Sequence, residues 1–237
     1  SSSMKRIAMW SGPRNLSTAM MYSFASRPDC TATDEPFYAA YLAHTDAPHP
    51  MQKAILAAHE TDPQKVAQFC ATPQAGTKLH YQKHMCHHML PGFPMDWAEE
   101  CTNIFLIRHP ARVIASYSAK RADVSLADLG LTRQLELFDR FGGLVIDSAD
   151  IRANPDKMLR LLCAGIDIPF DPAMLQWRAG PKPYDGVWAA HWYGSAHAST
   201  GFATAEGPLP ELEETAHDLL QSALPLYKAL HARRVSA

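Results

Sequence analysis

The sequence predicts an α/β protein, a three-layer sandwich in which helices cover both faces of a mostly parallel central sheet. Short apolar runs alternate along the 237 residues with segments whose apolar residues recur at helical spacing. The clearest run, Thr102–Arg108, holds consecutive large apolar residues, as central strands covered on both faces do. We expect a single domain over residues 1–237, with the three serines before Met4 as a cloning remnant.

Each predicted strand is an apolar run or a period-two alternation that stops near a turn signal. In chain order the strands are Lys5–Trp10, Cys30–Asp34, Thr77–Lys83, Thr102–Arg108 and Leu144–Asp147. The first run stops at Ser11-Gly12-Pro13 and the second at Glu35-Pro36, whereas the third is identified by its alternation of apolar and polar residues.

Helices are predicted where apolar residues recur every three or four positions, or where proline follows a capping residue. They are Leu16–Phe24, Phe37–Leu42, Asp62 to about Cys70, a helix after Pro110, Leu131–Phe141, a helix from Asn154-Pro155, and Glu211–His231. Pro225 is expected to kink the last one. Residues 180–210 instead carry aromatic side chains among glycines without a period, which is typical of a functional loop or a lid.

Composition excludes several function classes. The 22 basic and 24 acidic residues give a formal net charge of −2, so a broad basic surface for a nucleic acid polymer is not expected. No apolar run is long enough to span a bilayer and no leader pattern is visible, so no membrane partner is expected. The five cysteines are scattered and odd in number, which favours reduced thiols and a cytoplasmic protein.

The loop between the first strand and the first helix has the features of an anion site. Its backbone N–H groups and the positive end of the helix dipole point to one place. Gly12 and Pro13 make the turn, Arg14 offers a charged fork, and Ser17 and Thr18 offer hydroxyl groups. The loop has no GxxxxGK[ST] pattern and no lysine, so it is not a Walker A motif.

A second anion pocket is predicted at the same edge of the sheet. Arg108 ends a strand, Pro110 starts the next helix, and Ser116 follows Arg108 by eight positions. Ligands of open α/β sheets bind at the carboxyl ends of the strands, where both pockets lie.

These two motifs together resemble the sulfotransferases that use 3′-phosphoadenosine 5′-phosphosulfate (PAPS). The family's first loop reads Lys-x-Gly-Thr-Thr, over which Arg14-Asn15-Leu16-Ser17-Thr18 lies, with arginine for the lysine and leucine for the glycine. Its second motif is Arg-x-Pro followed by Ser, which Arg108, Pro110 and Ser116 match. Leu144–Pro169 is also similar, so the resemblance runs from about residue 6 to about residue 170.

The resemblance implies a P-loop NTPase-like sulfotransferase fold, and PAPS as co-substrate with no metal. The sulfuryl group would pass to a hydroxyl or amine of a small-molecule acceptor, with adenosine 3′,5′-bisphosphate as product. The loop from Gly12 and Pro13 onward would hold the 5′-phosphosulfate with the side chains of Arg14, Asn15, Ser17 and Thr18. Arg108 and Ser116 would hold the 3′-phosphate.

Two residues compete for the role of general base, beside Arg14 as the cation for the leaving oxygen. Glu35 follows the second strand at the same sheet edge, where some bacterial and carbohydrate sulfotransferases place a glutamate. His84 lies in a stretch similar to the family's Lys-x-His, one residue shorter. We favour Glu35. The histidines from His80 to His88 lack a fixed ligand pattern and predict no metal site.

Two other functions stay open at this point. A small-molecule kinase would require a loop lysine, which is missing, and magnesium-dependent ATP binding would support it. A non-catalytic nucleotide-binding protein is suggested by the departures at Arg14 and Leu16. Binding of the bisphosphate without transfer to any acceptor would favour it.

Overall fold

The computed structural model describes residues 4–46, 48–118 and 123–236; the three opening serines lie outside this part. Its strands are β1 (Lys5–Ser11), β2 (Cys30–Asp34), β3 (Leu79–Met85), β4 (Thr102–Ile107) and β5 (Leu144–Asp147). Its helices are α1 (Ser17–Ala25), α2 (Tyr38–Ala43), α3 (Gln52–Ala58), α4 (Pro63–Ala71), α5 (Pro110–Ser118), α6 (Leu131–Phe141), α7 (Ser148–Ala153), α8 (Pro155–Gly165), α9 (Ala189–Trp192), α10 (Gly194–Ala198) and α11 (His217–His231). Within these ranges, 3₁₀ turns are formed by Cys86–His88, Asp96–Glu100, Ala127–Leu129, Pro172–Leu175 and Glu214–Ala216.

The five strands form one sheet in the order β2-β3-β1-β4-β5, and each neighbouring pair is parallel. The predicted α/β class with a parallel central sheet is therefore confirmed. From β1 the chain moves to one side of the sheet, and from β4 onward it moves to the other. This reversal leaves a crevice between the carboxyl ends of β1 and β4, which is where ligands of open α/β sheets bind.

Helices cover both faces of the sheet because alternate residues of each strand point in opposite directions. In β1, Ile7 and Met9 pack with α1, α7 and α8 on the first face. Ala8 and Trp10 pack on the second face with α4, α5, α6 and α11. All four of these strand residues are completely buried, as the continuous apolar runs of the sequence predict.

Most predicted elements are present, with shifts at their ends. Asp62 and Asn154 accept hydrogen bonds from the first turns of α4 and α8, as their capping roles predict. The strand predicted at Thr77–Lys83 begins and ends two residues later, as β3. Helix α11 begins at His217 rather than Glu211 and retains Pro225 inside it. Sequence reasoning did not identify the short helices α3, α7, α9 and α10.

Strand β3 is unusual because its polar residues are buried as deeply as its apolar ones. All seven residues from Leu79 to Met85 are buried. His80 contacts the Thr33 hydroxyl at 2.7 Å, and Gln82 donates to the Cys70 carbonyl at 2.9 Å. The alternation of the sequence therefore distributes these residues between two buried faces, rather than between core and solvent. Over the residues described, no helix is both long and apolar enough to cross a membrane.

Candidate active site at the carboxyl edge of the sheet

The loop that follows β1 turns sharply into α1. Gly12 is required there, because a Cβ atom would lie 2.4 Å from the Leu129 carbonyl oxygen. Arg14 has a left-handed backbone with φ 55°. Asn15 accepts from the Leu16 amide at 2.7 Å and donates to the Leu106 carbonyl at 3.3 Å, which ties the loop to β4. Within the described residues no side chain caps α1, so its first N–H groups remain available to an anion.

The two predicted anion pockets are joined in the structure. The Arg14 Nε atom donates to the Ser116 hydroxyl at 2.7 Å, which links the first loop to α5. Arg108 donates from Nη1 to the Arg14 carbonyl at 2.6 Å, so the two arginines support each other. Ser116 thus pairs with Arg14 in this structure rather than with Arg108.

Arg108 also belongs to a cluster of arginines that sequence reasoning did not identify. Its Nη2 atom lies 3.1 Å from the Glu206 carboxylate. Arg112, four residues further along in α5, reaches the same carboxylate at 3.2 Å, and Arg152 of α7 lies 3.5 Å from it. We call Arg108, Arg112 and Arg152 the arginine cluster.

Glu35 lies at the centre of a second, deeply buried group. Its amide donates to the Lys83 carbonyl at 3.0 Å, which extends the pairing of β2 with β3. Its backbone is left-handed, with φ 40°. Lys83 donates to the Glu35 carboxylate at 2.7 Å and to the Thr18 hydroxyl of α1 at 2.9 Å. A buried ammonium group of this kind is stable only with such partners.

Tyr193 completes this buried group through hydrogen bonds of its hydroxyl. Its hydroxyl contacts Asp34 at 2.7 Å and Glu35 at 2.9 Å, and it receives a hydrogen bond from Lys83 at 2.7 Å. Because the hydroxyl has one proton, that proton is shared between the two carboxylates. Burial raises the pKa of Asp34 to about 6, against the opposing effect of Lys83. Asp34, Glu35, Lys83 and Tyr193 are called the acid–lysine cluster below.

A cavity of about 730 Å³ connects the two clusters. The predicted residues that line it are Arg14, Asn15, Thr18, Arg108 and Ser116. Trp192 and Tyr193, from the aromatic region at residues 180–210, also line it. Glu35 does not line the cavity, but Tyr193, whose hydroxyl contacts the Glu35 carboxylate, does.

Three predicted binding residues lie away from the cavity surface. Gly12 and Pro13 are on the other side of the loop, next to a small cavity shared with Arg108. The Ser17 side chain is buried. Gly12, Pro13 and Ser17 can therefore shape the loop, and Gly12 and Ser17 can supply backbone N–H groups, whereas the exposed side chains come from their neighbours.

His84, the rival base, is not brought together with this site. It follows Lys83 in β3 and therefore points to the opposite face of the sheet. Its ring stacks on Trp10 with centroids 4.8 Å apart and contacts Gln82 through Nε2 at 2.9 Å. Burial lowers the pKa of His84 to about 3, so the ring is neutral at pH 7. In the part of the chain that the structure covers, no group of histidine, cysteine and acidic residues is arranged to hold a metal ion.

A family model described as "Sulfotransferase domain" matches residues 4–234. The chain belongs to this family. The match covers almost all described residues, including both the arginine cluster and the acid–lysine cluster.

Two Arabidopsis thaliana proteins resemble this sulfotransferase domain along most of its length. Branched-chain-amino-acid aminotransferase-like protein 2 is 36% identical over 232 residues, which are 96% of this chain and 41% of that protein. Branched-chain-amino-acid aminotransferase-like protein 1 is 36% identical over 231 residues, which are 95% of this chain and 41% of that protein. The chain thus spans about two fifths of the length of these curated relatives.

Solved structures of other sulfotransferases share the fold. The sulfotransferase from Alicyclobacillus acidocaldarius has a TM-score of 0.51 at 14% identity, covering 98% of each chain. The sulfotransferase domain from the Synechococcus PCC 7002 olefin synthase has a TM-score of 0.50 at 20% identity, covering 94% of this chain and 95% of that one. At these identities the likeness concerns the fold alone.

Sequence signals were available for some of the site residues of this sulfotransferase domain that sequence reasoning missed. Lys83 lies at the carboxyl end of a predicted strand, and Arg112 lies one helical turn after Arg108. Tyr193 and Glu206 lie in a region without periodicity, so no local pattern indicates what they contact.

Proposed function

We propose that the protein transfers a sulfuryl group from PAPS to a hydroxyl or amine of a small-molecule acceptor. The observation that supports this proposal is the placement of Arg14, the uncapped start of α1, and Arg108 and Arg152 of the arginine cluster on one cavity. A nucleotide with phosphate groups at both ends of its ribose needs two separate cationic sites of this kind.

The residues present fit such a donor. Arg14 and the first N–H groups of α1 would hold the 5′-phosphosulfate, because the helix dipole and the guanidinium act on the same anion. The arginine cluster would hold the 3′-phosphate, with Arg108 linking the two sites through its bond to the Arg14 carbonyl. The donor supplies a sulfuryl group whose leaving group is a phosphate.

Transfer forms a bond from the acceptor oxygen or nitrogen to sulfur and breaks the bond from sulfur to the bridging oxygen. Arg14 would balance the negative charge that develops on that oxygen. We assign the acceptor's proton to Glu35 rather than to His84, since Glu35 is joined to the cavity through Tyr193 and His84 faces away. Tyr193 is a positioning residue, because it lines the cavity and its hydroxyl contacts the Glu35 carboxylate behind that lining.

Isothermal titration with adenosine 3′,5′-bisphosphate tests the donor site. The wild type should bind, and Arg108→Ala should bind at least about tenfold more weakly, because a charge-assisted contact to phosphate is lost. Arg140→Ala is the matched control, since Arg140 pairs with Asp96 and Glu99 at the surface of α6. No binding by the wild type, or equal binding by Arg108→Ala, would refute the proposal.

A transfer assay over a panel of hydroxyl and amine acceptors separates the two bases. Glu35→Gln should lower kcat by about 10²–10⁴, the usual contribution of a general base. His84→Phe should retain kcat within about threefold, because its ring contacts core residues only. A large loss of kcat in His84→Phe with little loss in Glu35→Gln would assign the acceptor's proton to His84. Binding of the bisphosphate without transfer to any acceptor would indicate a non-catalytic protein.

A further inference from the structure

Glu206 is held in the arginine cluster by residues from two helices and a strand end. Its Oε2 atom lies 3.1 Å from Arg108 and 3.2 Å from Arg112, and its Oε1 atom lies 3.5 Å from Arg152. Only 6% of the Glu206 side chain is exposed. The cluster that faces the cavity is thus already in contact with an anion from the protein itself.

The Glu206 carboxylate does not fully balance the arginine cluster in charge or in hydrogen bonds. Among the residues that the structure describes, three guanidinium cations face this one carboxylate, an excess of two positive charges. The buried Oε1 atom has no hydrogen-bond partner among the residues that the structure describes. A phosphate monoester carries about −1.5 to −2 charges at pH 7 and three acceptor oxygens. It would therefore balance both the charge and the donors of the cluster better than Glu206 does.

The segment that carries Glu206 depends on the same arginines for its position. Residues 199–213 contain neither helix nor strand. Arg112 donates to the Gly207 carbonyl at 2.7 Å, and Arg152 donates to the Thr204 carbonyl at 2.8 Å. An anion that engages these guanidinium groups would remove the contacts that fix the segment.

We infer that Glu206 is a resident anion in the 3′-phosphate site and determines donor specificity, an inference that rests on the proposed function. A donor enters the cluster by exchanging its 3′-phosphate for the carboxylate. A nucleotide without that phosphate leaves Glu206 in place and gains nothing from the cluster. The exchange admits a strongly charged phosphate and disfavours weaker anions, because each must compete with an internal carboxylate.

Titration calorimetry of Glu206→Gln tests this exchange. Adenosine 3′,5′-bisphosphate should bind about tenfold tighter to Glu206→Gln than to the wild type, because the competing charge is removed. Adenosine 5′-monophosphate, which lacks the 3′-phosphate, should bind both proteins equally within about twofold. Glu213→Gln is the control, since it removes the same charge from an exposed position of the same segment.

The outcomes separate this inference from the proposed function. Unchanged or weaker bisphosphate binding by Glu206→Gln, with binding still weakened in Arg108→Ala, would overturn the exchange and leave the donor site intact. No binding by either the wild type or Glu206→Gln would overturn the proposed function and the inference together. Binding of the bisphosphate by both proteins, about tenfold tighter by Glu206→Gln, would support both.

A measurement on the wild type covers the case in which Glu206→Gln fails to fold. Glutamyl endopeptidase cleaves after accessible glutamates, and mass spectrometry identifies each cleavage position. The bisphosphate should increase cleavage after Glu206 several-fold relative to the exposed Glu213, and the monophosphate should not. Unchanged or reduced cleavage after Glu206 would show that the carboxylate stays in the cluster, and would overturn the inference.

Discussion

Replacing Lys83 with methionine removes the only charge that balances Asp34 and Glu35 within the acid–lysine cluster. The Lys83 side chain is 2% exposed, and its ammonium group donates to Thr18, Glu35 and Tyr193 at 2.7–2.9 Å. These three bonds use all the protons of the group. Methionine retains most of the buried volume, so the loss is chiefly electrostatic.

The magnitude follows from the burial of both partners. Removing one member of a buried ion pair costs about 3–5 kcal/mol, because the other charge stays dehydrated without compensation. For a chain of this size, 1 kcal/mol lowers the Tm by about 2–4 °C, so a decrease of roughly 6–20 °C is expected. Lys157→Met is the control, since Lys157 is exposed, and its effect should be within about 0.5 kcal/mol.

The loss should also depend on pH. Burial already raises the pKa of Asp34 to about 6 in the presence of Lys83, and removal of the cation raises it further. The folded variant then retains a proton that the unfolded chain releases above about pH 4, so the variant loses stability as pH rises. Urea unfolding followed by tryptophan fluorescence should give a larger difference from the wild type at pH 8 than at pH 5. A loss below about 1 kcal/mol, or one independent of pH, would refute this reasoning.

Two further substitutions concern the core and the loop after β1. Burial lowers the pKa of His84 to about 3, whereas the unfolded chain takes up that proton near pH 6.5, so acidification from pH 7 to 4 costs stability. The Tm of His84→Phe should therefore fall less steeply over that range than that of the wild type, and an equal slope would contradict the argument. In Gly12→Ala the new carbon would lie 2.4 Å from the Leu129 carbonyl oxygen, so urea unfolding should show a loss of about 1–3 kcal/mol. Gly194→Ala, which meets nothing within 4 Å, should lose less than about 1 kcal/mol, and an equal loss in both variants would exclude a steric cause.

The sequence allowed the sheet edge to be predicted because strand ends carry local signals. The turn after β1 and the arginine after β4 identify the two loops that meet there. The carboxyl end of β2 also placed Glu35 at that edge. Parallel strands bring their carboxyl ends together whatever the details of packing, so these assignments needed no knowledge of long-range contacts.

Which of the neighbouring residues Lys83 and His84 faces the site could not be predicted in the same way. Adjacent residues of a strand point to opposite faces, so only one of the two can face α1. In β3 both alternating sets are buried, and polarity therefore does not indicate which face is which. The role of Tyr193 could not be predicted from the sequence either, because its partners Asp34 and Glu35 lie 159 and 158 positions earlier in the chain.

That separation in the chain has a consequence for the order of assembly. Strand β5 ends at Asp147. The groups that hydrogen-bond to the Asp34 carboxylate, the Gly186 amide and the Tyr193 hydroxyl, come later in the chain. During synthesis the whole sheet can therefore pair before its two adjacent carboxylates lose contact with water. The dehydration of these charges is postponed to a late docking step, when the surrounding framework is already present to supply their hydrogen bonds.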